Sequence, residues 1–222
     1  MKDTRLFWNG GRSKQRHMEE HTMKVFEYDS SFMKFILLLS RLTALNIIWL
    51  LCCIPVVTAG AATAAQYYTA SRILGGSTEV WQNFKTGLRL HWKRSSVIWT
   101  AFALLTAVFA AEYYILTTAA VPGKTAFLAI SGLAFLTAVL IMLWVYPVMI
   151  NFTGSLGEIL FNSFVFTFMY APITLIAAAF YGVAGFLFIR FNFTKGLFVL
   201  FGQSLIVCGI LVLFEKVLRK YR

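Results

Sequence analysis

The chain of 222 residues carries a formal net charge of +11, and 59% of its residues are hydrophobic. Its mean hydropathy of +0.73 excludes a soluble globular protein, in which about half of the residues are apolar. The length leaves room for about six membrane spans and no separate soluble domain. The Lys and Arg residues flank apolar stretches, which is typical of a membrane protein, so we expect the lipid bilayer and not nucleic acid as the partner.

Residues 1–22 are polar and cationic, and we predict that they form a mobile tail ahead of a single transmembrane helical domain, residues 23–222. His17 and His21 in this tail are four residues apart, a spacing that two metal ligands on one helix face would have. No third ligand follows at useful spacing, so a solvated tail is the expected structure. We predict no metal, no cofactor and no catalytic residue in this chain.

The first apolar stretch runs from Phe35 to Ile54 and ends at Pro55, which predicts a membrane-spanning helix. Thr58 to Ser71 is a shorter stretch rich in Ala and Gly, with Thr58 as its expected N-cap and Gly60 as a point of close helix contact. Pro55 to Gly60 is expected to be a hairpin at the outer surface. Glu79 to Leu90 then has the pattern of a short amphipathic helix lying flat at the headgroup level.

Four more apolar stretches follow. They predict spans over Ser95–Thr118, Thr125–Ile150, Ala171–Ile189 and Leu197–Phe214. Short turns are expected at residues 121–124 and 190–195, and a longer connector at 151–168. The fold class is therefore all-α, a polytopic transmembrane helical bundle with short amphipathic interfacial helices.

The distribution of charge favours about six crossings. If Thr58–Ser71 crosses the membrane, both termini and all the Lys/Arg-rich segments lie on one side, the cytoplasmic side by the positive-inside rule. If it does not, the cationic N-terminus lies opposite the cationic C-terminus. A five-span alternative stays open, because Pro55 could merely kink one long helix.

A weak internal repeat relates residues 33–118 to residues 125–214. Glu79 and Glu158 each begin a Glu-aliphatic-bulky-x-Asn pentapeptide, and each pentapeptide comes between two apolar spans. A duplication would give parallel repeats about an axis along the membrane normal, while a chance match of five residues is the alternative.

Polar residues within apolar stretches are costly to bury and often mark a functional pathway. We expect Asn46 and Gln66 to hydrogen-bond between the first two helices. Glu112 lies about 27 Å beyond Arg94 on a helix, which predicts a carboxylate near the outer surface, within reach of water or of Lys124.

Asn46-Ile-Ile-Trp-Leu-Leu-Cys-Cys-Ile-Pro-Val-Val-Thr-Ala-Gly60, followed by Thr63-Ala-Ala-Gln-Tyr-Tyr68, resembles the YesL-like bacterial membrane proteins, the DUF624 family. The resemblance implies a multi-pass protein of the bacterial cell membrane without an established activity. It also implies a link to carbohydrate transport, because genes of this family tend to lie beside binding-protein-dependent oligosaccharide importers in Gram-positive bacteria.

The resemblance leads us to expect a non-enzymatic accessory or regulatory subunit of a carbohydrate ABC importer, bound to its permease subunits. The chain has neither an ATP-binding motif nor the coupling signature of an importer permease. The alternative is a stand-alone small transporter or channel, with Asn46, Gln66, Tyr67 and Tyr68 lining a pathway. An accessory subunit should expose a small-residue or aromatic surface, whereas a transporter should enclose a polar cavity.

Overall fold

The computed structural model describes residues 31–118 and 123–221, which form seven helices and no strand. The helices are α1 (Ser31–Cys53), α2 (Ala59–Leu74), α3 (Val80–Thr118), α4 (Lys124–Asn151), α5 (Leu156–Met169), α6 (Ala171–Arg190) and α7 (Asn192–Leu218). The predicted tail, with His17 and His21, lies outside the described residues. The chain divides into two units, 1–41 and 42–222. The first contributes the initial turns of α1, and every contact below lies within the second.

Five helices, α1, α3, α4, α6 and α7, are long and apolar enough to cross a membrane. The predicted all-α, multi-pass class is therefore confirmed. The sixth predicted crossing, α2, has 16 residues, which corresponds to about 24 Å and is shorter than a typical hydrocarbon core. Six crossings with both termini in the cytoplasm therefore stay a prediction.

Helix α2 lies at the centre of the second unit. Ten of its 16 residues are buried, and they lie on all sides of the helix. Small side chains make this possible, because Ala and Gly let neighbouring backbones approach closely. The Ala/Gly-rich stretch therefore packs inside this protein.

Two glycines set the distance between α2 and α3. A Cβ atom at Gly60 would overlap the Trp99 side chain and lie 2.7 Å from the Ser95 carbonyl oxygen. A Cβ atom at Gly87 would lie 2.9 Å from the Tyr68 Cβ atom. The close contact predicted for Gly60 is therefore present, but its partner is α3 rather than α1.

Helix α3 is one continuous helix of 39 residues, so the prediction of a separate amphipathic helix over Glu79–Leu90 is wrong. No Gly or Pro lies between Leu88 and Ser95, so nothing in the sequence ends the helix near Leu90. Phe84 and Gly87 are buried, so this segment packs on protein.

The remaining connections are shorter than predicted. Within the predicted connector 151–168, α5 begins at Leu156. The predicted turn at 190–195 is also mostly helical, because only Phe191 separates α6 from α7. In the turn predicted at 121–124, residues 121 and 122 lie outside the described residues, and α4 begins after Gly123, as expected.

The second half of α3 and the first 20 residues of α4 form what we call the apolar hairpin, residues 99–118 and 124–143. Its arms stack Phe109 on Phe135, with ring centroids 4.5 Å apart. Every buried residue of α3 lies at or before Ile98, and every buried residue of α4 lies at or after Trp144. The described residues of the apolar hairpin therefore have no fully buried member.

The turn after Pro55 lies beside the start of this hairpin, because the Trp99 indole Nε1 donates a hydrogen bond of 2.9 Å to the Val56 carbonyl oxygen. Thr118, at the far end of α3, is about 28 Å further along the helix. The Pro55 turn and the far end of the hairpin therefore lie at different levels, contrary to the expectation that both reach the same membrane surface.

Replacing Gly60 with Leu should prevent α2 from reaching α3, because the new side chain overlaps Trp99. We expect a loss of at least 1–3 kcal/mol, roughly the cost of overpacking a core, seen as a lower thermal midpoint of the protein in detergent. Gly132→Leu is the matched control, since a Cβ atom at this helical glycine meets nothing within 4 Å. Equal midpoints for the two variants would contradict the close contact.

Candidate functional site

The side chain of Asn46 connects α1 to a distorted turn of α7. Residues Phe198–Gly202 form a π-helical segment. The Asn46 Nδ2 atom donates to the carbonyl oxygens of Phe198 and Val199, at 3.1 and 2.7 Å. Its Oδ1 atom accepts from the backbone N–H of Ser204, at 3.0 Å. Asn46 thus hydrogen-bonds to backbone groups at a point where the regular backbone hydrogen bonds of the α-helix are interrupted. Such π-helical turns are common at functional sites.

Gln66 of α2 joins this arrangement through Ser204. The Ser204 hydroxyl donates to Asn46 Oδ1 at 3.3 Å and accepts from Gln66 Nε2 at 3.1 Å. All three side chains are fully buried. The predicted hydrogen bond between Asn46 and Gln66 is therefore indirect, because both bind to Ser204 on α7. The direct bond from α1 to α2 comes from Trp49 Nε1 and the Thr63 hydroxyl, at 3.2 Å.

Three tyrosines extend the polar region on the other side of Gln66. The ring of Tyr67 stacks on that of Tyr146 in α4, with centroids 5.5 Å apart. The Tyr67 hydroxyl hydrogen-bonds to that of Tyr181 in α6, and Tyr181 also accepts from Gln203 Nε2 at 3.3 Å. We call the seven side chains the polar core: Asn46, Gln66, Tyr67, Tyr146, Tyr181, Gln203 and Ser204.

The polar core contains amides and hydroxyls and no carboxylate, imidazole or ammonium group. Such groups donate and accept hydrogen bonds and carry no charge at neutral pH. Within the described residues, two of its buried atoms have no hydrogen-bond partner, Gln66 Oε1 and the Tyr146 hydroxyl. The arrangement therefore joins α1, α2, α6 and α7 through neutral hydrogen bonds, and α4 through the stacked ring of Tyr146.

Thr58 does not cap α2 as predicted. Its backbone is helical, and no capping hydrogen bond comes from its side chain. Its hydroxyl instead donates to the carbonyl oxygens of Cys52 and Pro55, at 2.6 and 2.8 Å. Thr58 therefore closes the turn after Pro55 by binding to the end of α1, which leaves the side chains of Val56 and Val57 exposed.

The three glutamates considered in the sequence analysis, Glu79, Glu112 and Glu158, lie away from the polar core. Glu158 forms a capping box with Ser155 at the start of α5. Glu79 precedes α3, and its backbone N–H and carbonyl group hydrogen-bond to Ser77 and Asn83. The two matching pentapeptides therefore play different structural roles, and the duplication stays a prediction. Glu112 lines an apolar groove of about 530 Å³ between the hairpin arms, beside Phe127. The ion pairs found among the described residues do not include Glu112 with Lys124.

Tyr68 points away from its neighbour Tyr67, toward the ends of α2 and α7. Its hydroxyl accepts hydrogen bonds from the Nε and Nη2 atoms of Arg72, at 3.3 and 3.0 Å. It lines a pocket of about 500 Å³ that lies outside the polar core. The predicted pathway residues Asn46, Gln66 and Tyr67 are therefore brought together, while Tyr68 belongs to a different site.

Sequence reasoning missed Ser204, Tyr146 and Tyr181. Ser204 follows Gln203, a polar residue within an apolar run. Two consecutive polar residues in such a run could have indicated Ser204 as a buried contact residue. Tyr146 and Tyr181 carry no such signal, because tyrosine is frequent in membrane proteins at the interface as well as in the interior. Composition and hydrophobic periodicity do not predict the π-helical turn that Asn46 binds.

Among the described residues, no group of three or more His, Cys, Asp or Glu side chains is placed to hold a metal ion. The helices and the polar core define the class, a multi-pass membrane protein built of helices around one buried polar region.

Comparison with known families agrees with this class. The model of DUF624, a protein family of unknown function, matches residues 42–113. The matched segment contains Asn46, the Pro55 turn, all of α2 and most of α3, so the predicted DUF624 resemblance is confirmed over these elements. No curated protein and no solved structure matches the chain.

Replacing Asn46 with Leu should leave the carbonyl groups of Phe198 and Val199 and the N–H of Ser204 without their partner. We expect a loss of about 1–3 kcal/mol, the cost of unsatisfied buried groups, and faster amide hydrogen exchange over residues 198–204. Asn192→Leu is the control, since Asn192 lies exposed at the start of α7. Unchanged exchange at 198–204 would show that Asn46 does not hold the π-helical turn.

Tyr146 and Tyr181 allow a second paired test. Tyr146→Phe removes a buried hydroxyl that has no partner among the described residues, so stability should be unchanged or higher. Tyr181→Phe removes the acceptor of Tyr67 and Gln203 and should cost about 1–3 kcal/mol. Thermal midpoints in the same detergent measure both. A clear loss of stability for Tyr146→Phe would instead indicate that its hydroxyl has a bound partner.

Proposed function

We propose that this protein is a YesL-like, non-enzymatic accessory or regulatory subunit of a carbohydrate ABC importer in the bacterial cell membrane. It would bind the permease subunits through helix faces, with both of its own termini in the cytoplasm. The resemblance supports the link to oligosaccharide import. The observation that carries the docking role is the apolar hairpin.

The length of α3 supports a partner for the hairpin. Its 39 residues extend about 58 Å, whereas the hydrocarbon core of a bilayer is about 30 Å thick. Helix α2 lies beside the first half of α3, and α1 and α7 pack on α2. The hairpin begins where this first half of α3 ends. The helices packed around α2 and the apolar hairpin are therefore two apolar regions that follow one another along α3.

A hydrocarbon layer of about 30 Å is shorter than the roughly 58 Å of α3 along which the two apolar regions follow one another. Side chains of the hairpin are apolar and far exposed, as shown by Leu104, Val108, Ile130 and Leu133, which are 63–71% exposed. Those of α6 are similar, with Val183 and Phe186 at 58% and 65%. Large apolar surfaces beyond the reach of lipid mark protein interfaces. In a larger membrane complex, another subunit that packs on the hairpin would cover this apolar surface.

The polar core is the observation that favours the alternative, a stand-alone transporter or channel. A transport pathway needs polar groups free to bind a solute or ion. Most polar atoms of the core are instead bonded to one another or to the π-helical turn, and the two pockets described above lie elsewhere. The accessory role therefore agrees better with the contacts.

Site-specific photo-crosslinking in the native host tests the proposal. A photoreactive residue at Val108, which is 65% exposed in the hairpin, should form an adduct with a permease subunit of the importer. The matched control is Val97, 55% exposed on the same helix but before the hairpin. Deleting the gene should lower uptake of the cognate oligosaccharide while the importer subunits stay expressed.

Two results would contradict the proposal. The first is sugar transport by the purified protein alone in liposomes, which would establish the stand-alone transporter. The second is normal oligosaccharide uptake in the deletion strain together with no permease adduct at Val108.

A further inference from the structure

The pocket beside Tyr68, which we call the basal pocket, lies where three helices end. It is lined by the last turns of α2, α4 and α7, and it measures about 500 Å³, within the range of roughly 300–1,000 Å³ that is usual for small-molecule sites. Its polar lining includes Ser71, Arg72, Ser77, Asn151, Glu215 and Arg219. Neither the polar core nor the apolar hairpin contributes to it.

Arg72 is the cation of the pocket that no carboxylate neutralises among the described residues. Its Nε and Nη2 atoms bind the Tyr68 hydroxyl, a neutral acceptor, and the guanidinium lies 5.2 Å from the centroid of the Tyr68 ring. Arg219, by contrast, forms an ion pair of 3.0 Å with Glu215. The ion pairs of the described residues include none with Arg72. Tyr68 thus orients a guanidinium whose remaining N–H groups suit a phosphate or carboxylate.

Helix C-termini carry partial negative charge, which would oppose an anion. Most of the terminal carbonyl groups here are already bonded to residues of the following turns. The carbonyl oxygens of Ser71, Arg72 and Ile73 accept from Gly75, Ser77 and Gly76, at 2.9–3.1 Å. Those of Glu215, Val217 and Leu218 accept from Arg219, Lys220 and Tyr221, at 3.0–3.1 Å. Glu215, the carboxylate of the pocket, is paired with Arg219. The carbonyl groups and Glu215 therefore oppose the positive charge of Arg72 only weakly.

The rest of the lining is apolar. Leu74, Ile150, Leu211 and Leu218 line the pocket beside the polar residues. They are among the final apolar residues of their helices, so the lining changes from apolar to cationic where the spans end. An amphiphile with a phosphate next to acyl chains has the same order of groups, and its phosphate would lie at this level of a bilayer.

We propose that the basal pocket binds the headgroup of a membrane phospholipid. The phosphate accepts hydrogen bonds from the guanidinium of Arg72, Ser71 lies beside it, and the first carbons of the acyl chains contact Leu74 and Leu211. The bound lipid covers the open end of the bundle between α2 and α7.

Titration calorimetry on the full chain in detergent tests this inference with three probes: dihexanoyl phosphatidylglycerol, dihexanoyl glycerol without the phosphate, and inorganic phosphate. The phospholipid should bind most tightly. Arg72→Gln should weaken its binding about tenfold, the loss expected for one charge-assisted hydrogen bond. The control is Arg89→Gln, which removes an exposed cation of α3 that does not line the pocket. Ser71→Trp, a second variant at an exposed position, should fill the pocket and abolish binding.

Each alternative gives a different result. Unchanged binding in both Arg72→Gln and Ser71→Trp would overturn the site. Equal binding of dihexanoyl glycerol would show that apolar contact alone attracts the probe, and equal binding of inorganic phosphate would identify a soluble phosphate compound as the ligand. Either result would overturn the phospholipid assignment.

Discussion

The close approach of α2 to α3 at two glycines is the contact on which the rest of the second unit depends. Gly60 meets Ser95 and Trp99, and Gly87 meets Tyr68. Since no side chain separates the backbones, α2 can be buried on all sides. Its Ala residues then present a smooth surface to α1, α4 and α7. A larger residue at either glycine would move α2 and with it every helix that packs on it.

Burial of α2 also determines which polar groups need partners. Gln66 and Tyr67 are carried into the interior, where an unbonded amide or hydroxyl is costly. Ser204 and Tyr181 supply the partners, and Asn46 satisfies the turn of α7 next to Ser204. The polar core is thus a consequence of helix packing and at the same time a specific link among five helices. Such networks favour one arrangement over alternatives that leave the same groups unpaired.

The exposed part of the protein has the opposite character. The apolar hairpin has no fully buried residue among those described and extends beyond the Pro55 turn along α3. The small residues of α2 pack against other helices of this protein and are not exposed to a partner. The exposed apolar surface lies on the hairpin instead. At the other end of the unit, the basal pocket combines Arg72 with apolar helix ends. The interior holds the fold together, while the exposed apolar hairpin and the basal pocket lie at its two ends.

The sequence by itself determined the membrane class, the helical fold and five of the spans, because a bilayer requires long apolar segments with internally bonded backbones. It also indicated Gly60, Gln66 and Asn46 as contact residues, since small or polar residues in apolar helices need a neighbouring helix. Only the tertiary structure decided which helix that neighbour is. Asn46 binds a turn of α7 more than 150 residues away, and Gly60 contacts α3 rather than α1. Such pairings depend on how the helices pack, and hydrophobic periodicity within one helix does not specify its partner.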